Sequence, residues 1–251
     1  MKFFDPVAKA QQIRAYVEKD TLRKYYRVPR PGRWYGGIAT ADCCGCNLRC
    51  VFCWSNKPRD NPERIGQFYS PEQIFDKITA CATRHGYRLL RLSGNEPTLC
   101  QPHLLQLLDL VERTNYLFIL ETNGTLLDAD YVAALTQFKN VHVRVSLKGT
   151  SAEEHALLTG ANEDSFENII DAIALLTKHR VRFNVAAMLS FSPDKNIMLL
   201  KERLRTIAPR VENDFEEEYV FLYPHVARRL KRAGLTPVRA YSPRGIPERL
   251  K

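Results

Sequence analysis

The chain has 251 residues, 45% hydrophobic and 26% charged, which is the balance of one large folded domain and excludes a disordered or fibrous protein. No apolar run approaches the ~20 residues that span a bilayer, and residues 1–16 lack the apolar stretch of a signal peptide, so a cytoplasmic protein with no membrane partner is expected. The net charge of +9 is uneven: residues 1–35 carry nine Lys/Arg against three acids, residues 224–251 carry eight against one, and the middle holds about −4.

Residues 1–35 read as a basic N-terminal helix and an extended lead-in (RVPRPGRW, residues 27–34) that packs on or covers the following domain. From residue 36 to 234, short β-rich runs alternate with helical patterns, the signature of repeated βα units around a parallel sheet. Six strands are predicted, near Gly37–Ala41, Arg88–Ser93, Tyr116–Glu121, His142–Leu147, Arg182–Leu189 and Tyr219–Leu222. Ser70 reads as an N-cap with Pro71 at the first helical position of a helix running to His85. Further helices are predicted over Pro102–Thr114, Asp128–Phe138, Ser165–His179, Asp194–Thr206 and Pro224–Ala233. Six βα units are fewer than the eight of a closed barrel, so the expected α/β fold is a partial (β/α)6 TIM-like barrel with its chemistry at the carboxyl ends of the strands. The five acids of Glu212–Glu218 read as a solvated loop, and residues 235–251 as a basic C-terminal tail. Basic ends admit contact with nucleic acid, contact with an acidic protein surface, or plain solvation.

Seven cysteines, an odd number crowded near the first strand, do not suggest a disulfide framework. Five fall in Cys43-Cys44-Gly-Cys46-Asn-Leu-Arg-Cys50-Val-Phe-Cys53, in the loop where a βα fold presents functional groups. Zinc is one reading, but its two C-x-x-C pairs are usually separated by a dozen or more residues, and here only three intervene. The spacing also departs from the two-two-three run of a bacterial ferredoxin. Three cysteines on one cluster leave one iron uncovered.

Cys46-x-x-x-Cys50-x-Phe52-Cys53 resembles the signature of the radical S-adenosylmethionine (SAM) superfamily. That resemblance implies a [4Fe-4S] cluster on Cys46, Cys50 and Cys53, SAM on the open iron, and reductive cleavage of SAM to a 5′-deoxyadenosyl radical. It also implies an external electron donor such as ferredoxin or flavodoxin. Ser93-Gly94-Asn95-Glu96-Pro97, closing the second predicted strand, is similar to the family's Gly-Gly-Glu-Pro loop, which holds the SAM amino group. Asn95 departs from the second glycine, and asparagine tolerates left-handed backbone better than most residues. Thr122-Asn123 after the third strand resembles the family's Thr-Asn-Gly segment, and Ser146 and Lys148 after the fourth match polar positions near the SAM ribose or carboxylate. Their bland alternatives are an Asn-Gly turn and a solvent-exposed lysine. Asn184 and Met188 are weaker candidates, since a methionine in an apolar strand belongs first to the core.

The stretch Ser146-Leu-Lys148…His155…Leu-Thr159-Gly160 resembles activating enzymes of glycyl radical proteins, such as the pyruvate formate-lyase activase, which implies a partner protein as substrate. Val51-Phe52-Cys53-Trp54 instead resembles the wybutosine-pathway tRNA enzymes, which implies RNA. Those carry a second cluster on an N-terminal cysteine segment, and residues 1–42 contain no cysteine. A non-catalytic zinc- or cluster-stabilised nucleic-acid-binding module is the alternative outside the enzymes. Cys43 and Cys44 are expected beside the site or buried, Cys81 and Cys100 have no ligand-spaced partner, and His225 faces the same mouth as the cluster.

Overall fold

The computed structural model describes residues 3–212 and 214–247. The chain opens with helix α1 (Pro6–Val17), capped by Asp5, whose side chain accepts from the Val7 amide, and leads through β1 (Glu18–Lys19) into β2 (Leu22–Gly32). After a one-turn segment at Trp34–Gly36 come β3 (Ile38–Cys43), α2 (Asn56–Asp60) and β4 (Gln67–Tyr69). Helix α3 (Pro71–His85) starts on a capping box in which Ser70 and Gln73 satisfy each other's backbone amides, and it stops at left-handed Gly86. Then follow β5 (Leu89–Ser93), α4 (Gln101–Glu112), β6 (Leu117–Thr122), α5 (Ala129–Leu135), β7 (Val141–Leu147), α6 (Ala152–Thr159) and α7 (Asp164–Lys178). The chain closes with β8 (Phe183–Met188), α8 (Asp194–Ile207), β9 (Glu216–Glu218), β10 (Val220–Phe221), α9 (Pro224–Arg232) and β11 (Ala240–Tyr241).

Six strands run parallel in the order β3-β5-β6-β7-β8-β9, which is the expected count for a partial (β/α)6 barrel, and the sheet stays open beyond β9. The sixth member is not the predicted one. Tyr219–Leu222 forms β10, which pairs with β11 in a separate small sheet, and the parallel strand beside β8 is the acidic run Glu216–Glu218. Hydrophobicity pointed to the wrong segment because the barrel interior here is charged: an acid facing inward meets arginine rather than oil. The lead-in is likewise more than a cover, because β2 pairs antiparallel with β3 and extends the sheet by a strand. Of the basic C-terminal tail, residues 248–251 lie outside the described residues.

Strand periodicity sorts the side chains into two faces. Leu90, Leu92, Phe118, Leu120, Val141, Val143, Val145 and Val185 face the helices and join one buried core with Ile74, Ile78, Leu104, Leu107, Ile169 and Ile173. The alternate positions carry Thr40, Asp42, Arg91, Ser93, Glu121, Arg144, Ser146 and Asn184. These pair across the strands: Arg91 Nη1 reaches Glu121 Oε1 at 2.9 Å, Arg144 reaches Glu216 at 2.7 Å and Glu218 at 2.8 Å, and Asp42 accepts from Arg27 and Arg30. Charges removed from bulk water are tolerated only when paired and hydrogen-bonded in this way. No helix among the described residues is long and apolar enough to cross a membrane.

Candidate functional site

The carboxyl ends of β3, β5, β6 and β7 bring the predicted residues to one end of the sheet. The loop after β3 carries Cys43 to Cys53 and turns at Gly45, whose φ of 77° and approach to Ile13 and Val17 leave no room for a Cβ. Glu96 N donates to Gly45 O at 3.1 Å, which ties this loop directly to the one after β5. Asn47 is fully buried and donates to Pro6 O at 3.1 Å and Thr125 Oγ1 at 2.8 Å. On its far side the loop is held by the end of α6: Arg49 N and Val51 N donate to Thr159 O and Leu158 O, each at 2.9 Å.

Cys46, Cys50 and Cys53 lie in one cluster with Phe52, Leu48 and Ala161. Arginines grip the backbone carbonyl of each. Arg49 Nη1 donates to Cys46 O at 2.5 Å, Arg59 Nη1 to Cys50 O at 2.7 Å, and Arg229, from α9, to Cys53 O and, at 2.9 Å, to Val51 O. A fourth, Arg23, is buried in β2 and donates to Cys44 O at 2.6 Å and Glu96 O at 3.1 Å. None of these four stood out in the sequence, where an arginine far along the chain carries no sign of the carbonyl it will meet. Burial, then Glu96 and Cys50, push the Cys46 thiol well above the ordinary thiol range, and burial pushes Cys50 up to about 11. Such thiols ionise when a cation replaces the proton.

Cys43 and Cys44 are buried and point their thiols elsewhere, Cys43 to Ser93 O at 3.2 Å and Cys44 to Ile65 O at 3.3 Å. Cys81 and Cys100 are also buried. Among the described residues, no three Cys, His, Asp or Glu side chains close to the distances of a single metal ion. Three thiols gathered on one loop are soft donors of the kind that hold an iron–sulfur cluster.

In the second loop the positive φ belongs to Gly94 (88°), where a Cβ would lie 2.9 Å from Asp42 and Tyr26; Asn95 is not among the residues with positive φ. The tolerance of asparagine for left-handed backbone is thus not called on at this position. Asn95 Nδ2 donates to Ser55 Oγ at 3.1 Å, while its Oδ1 is buried without a donor, an acceptor open to an ammonium or hydroxyl of a bound group. Glu96 turns inward. Its carboxylate accepts from Thr98 N at 3.2 Å, Thr98 Oγ1 and Thr122 Oγ1 at 2.7 Å, and Asn123 N at 2.8 Å, so it clamps this loop to the next, and Pro97 starts a buried single turn. Asn123 Nδ2 donates to Asn47 Oδ1 at 2.9 Å and lies 3.9 Å from Cys46 Sγ.

Ser146 and Lys148 meet Glu218. Ser146 Oγ donates to Glu218 Oε2 at 2.7 Å, and Lys148 Nζ donates to Ser146 Oγ and, at 3.4 Å, to Glu218 Oε2. Burial alone would raise the Glu218 pKa, but Lys148 and Arg144 hold it down to about 2. Burial likewise works against the Lys148 charge, yet Glu218, then Cys50, raise its pKa. Lys148 is therefore not a free surface lysine but one paired with Ser146 and Glu218. Phe52 packs against Phe191 with ring centroids 6.1 Å apart, and Met188 is buried in the core beside it. Asn184 bonds His142 at 2.8 Å and Glu216 at 2.7 Å inside the barrel. His225 reaches the cysteine loop through Nε2 and Trp54 O at 3.0 Å.

Residues 42–204 match the family described as the radical SAM superfamily. A probable GTP 3′,8-cyclase from Pyrococcus horikoshii is 28% identical over 157 residues, covering 60% of this chain and 46% of the relative. An AdoMet-dependent heme synthase from Methanosarcina barkeri is 29% identical over 155 residues, covering 61% and 42%. The chain thus spans less than half the length of these curated relatives. Among solved structures, SuiB from Streptococcus suis bound to S-adenosylmethionine matches with a TM-score of 0.54 at 19% identity, over 64% of this chain and 36% of that one.

Proposed function

This chain belongs to the radical SAM superfamily, and we propose that Cys46, Cys50 and Cys53 hold a [4Fe-4S] cluster beside a SAM cleft bordered by Phe52, Gly94, Asn95, Glu96, Pro97, Thr122, Asn123, Ser146 and Lys148. When bound, the cluster and SAM supply one-electron cleavage to an adenosyl radical that takes a hydrogen atom from substrate. The chain supplies position and charge. Arg49, Arg59 and Arg229 fix the cysteine loop through its carbonyls, Glu96 locks the loops after β5 and β6 together, and the buried, unpartnered Oδ1 of Asn95 would accept from the SAM ammonium. Lys148, held by Glu218 and Ser146, keeps a cation at the end of β7. The observation that carries this reading is the division of the five crowded cysteines: Cys46, Cys50 and Cys53 pack in one cluster, while the Cys43 and Cys44 thiols are turned to the carbonyls of Ser93 and Ile65.

The hydrogen donor proposed first is a glycyl residue of a partner protein, on the resemblance of Ser146–Gly160 to the activases. Part of that stretch has a local task, since Leu158 and Thr159 hold the cysteine loop. RNA is the second reading, favoured by the exposed Arg228, Lys231, Arg232, Arg239 and Arg244.

Anaerobic reconstitution followed by reduction is expected to yield 5′-deoxyadenosine from SAM. Ala at 46, 50 or 53 should reduce the yield at least tenfold, and Cys43→Ala or Cys44→Ala should keep it. Full cleavage in the first group, or a protein that binds one zinc and never yields 5′-deoxyadenosine, refutes the assignment. Deuterium carried into 5′-deoxyadenosine from glycine-labelled protein, but not from labelled RNA, selects the first substrate reading.

A further inference from the structure

Strand β2 carries two arginines, Arg27 and Arg30, that turn to one carboxylate. Three residues apart on a regular strand, they would lie on opposite faces. The β2–β3 register shifts between Tyr25 and Arg27 and again between Arg27 and Arg30, and these irregularities bring both side chains to Asp42. Arg30 alone satisfies that buried group: its Nε donates to Oδ2 at 2.7 Å and its Nη2 to Oδ1 at 2.8 Å, a two-pronged pair. Arg27 adds a third bond, from Nε to Oδ2 at 2.6 Å. Arg27 Nη1 and Nη2 and Arg30 Nη1 have no hydrogen-bond partner among the described residues. The other ion pairs of the barrel interior balance, with Arg91 on Glu121 and Arg144 and Lys148 on Glu216 and Glu218. One cation is therefore in excess, and it stands at Arg27.

We propose that Arg27 and Arg30 bind an oxyanion of the substrate, a carboxylate or a phosphate, and so select a substrate that carries a negative charge close to the SAM cleft. This rests on the cleft proposed above. The Arg27 side chain is 45% exposed, and its guanidinium carbon lies 5.8 Å from the ring centres of both Tyr26 and Trp54, which hold the group in place and shed part of its hydration. The pair stands beside the loop after β5: a Cβ on Gly94 would lie 2.9 Å from Asp42 and Tyr26, and Tyr26 Oη and Asn95 Nδ2 both bond Ser55 Oγ, at 2.8 and 3.1 Å. Strand β2 precedes the residues that match the superfamily, which puts the pair outside the segment shared with the family. Asp42 does not repel the incoming anion outright, because both its oxygens are already capped by guanidinium N–H groups. Carboxylate and phosphate offer the same two oxygens to a guanidinium fork, and one surplus positive charge matches one negative charge.

The test measures equilibrium binding at low salt to the full chain, reconstituted with its cluster and saturated with SAM. Two matched pairs of probes are used: uridine 5′-monophosphate against uridine, and an acetylated, amidated Gly-Asp-Gly peptide against its Gly-Asn-Gly counterpart. In at least one pair the charged probe is expected to bind roughly tenfold tighter than the neutral one. Arg27→Gln, which leaves the Arg30–Asp42 pair in place to support the fold, should cut that preference to less than about twofold, and Arg27→Lys should restore part of it. The pair that shows the preference identifies the oxyanion as phosphate or carboxylate. Equal binding of charged and neutral probes in both pairs, or a preference that survives Arg27→Gln, would overturn the site. So would a tenfold fall in SAM affinity in Arg27→Gln, which assigns the arginines to the carboxylate of SAM. A chain that takes up no cluster refutes the assignment of the cysteines, while the charge preference measured on it still decides the oxyanion site.

Discussion

The two basic ends of the chain use their charge in opposite ways. At the N-terminal end five cations are bonded into the fold, Arg23 and Lys24 of them buried: Arg14 donates to Leu99 O, Arg23 to Cys44 O and Glu96 O, Lys24 to Pro62 O and Glu63 O, and Arg27 and Arg30 to Asp42. At the C-terminal end Arg229 is the one Lys or Arg among the described residues that reaches the cysteine loop, and Arg228, Lys231, Arg232 and Arg244 face solvent. Net charge therefore says little about partners until each cation has been traced to its acceptor. A buried guanidinium satisfies loop carbonyls that have no strand to pair with.

The sharpest way to break this contrast is Arg23→Met, which strands two buried carbonyls at the junction of the cysteine loop and the loop after β5. A loss of roughly 3 kcal/mol is expected, seen as a fall in Tm of roughly 10 °C. An unchanged melting curve would show that the internal arginines are passengers. Arg229→Ala should cost less, about 1–2 kcal/mol, because its guanidinium is only half-buried, but should speed the loss of iron to a chelator several-fold. Arg229→Lys, which keeps the charge without the two-pronged geometry, should restore only part of that retention.

Acid should then separate the barrel interior from both ends. The folded pKa of Glu218 is depressed to about 2, below its unfolded value near 4.3, so its contribution is fully present above that value and lost as pH falls toward 2. Denaturant titrations between pH 5 and 2 should show this slope in the wild type and a flatter one in Glu218→Gln; equal slopes would contradict the network. The smallest effect is expected on the outer face of α9, where neutralising Arg228, Lys231 and Arg232 should change stability by less than about 0.5 kcal/mol per site.

Five of the six parallel strands, the capping box of α3, and the loops carrying the cysteines and Gly94–Pro97 were legible in the sequence, because periodicity, caps and turn residues are local signals. The sixth strand was not. Glu216 and Glu218 are inward-facing strand residues only because Arg144 and Lys148 wait on β7 and its following turn, and that complement is invisible along the chain. The three arginines on the cysteine carbonyls were hidden for the same reason, since their acceptors are backbone atoms, in the case of Arg229 more than 170 residues away. Lys148, for which solvent exposure is the alternative reading, is half-buried and paired, and the positive φ of the second loop falls on Gly94, so Asn95 needs no left-handed backbone.

Electron paramagnetic resonance of the reduced, reconstituted protein, recorded with and without SAM, tests the three-cysteine cluster most directly. A [4Fe-4S] signal that changes on adding SAM, and that disappears in Cys46→Ala, Cys50→Ala and Cys53→Ala but persists in Cys43→Ala and Cys44→Ala, is the predicted result. A signal indifferent to SAM, or one that depends on Cys43 or Cys44, would contradict an open iron held by Cys46, Cys50 and Cys53.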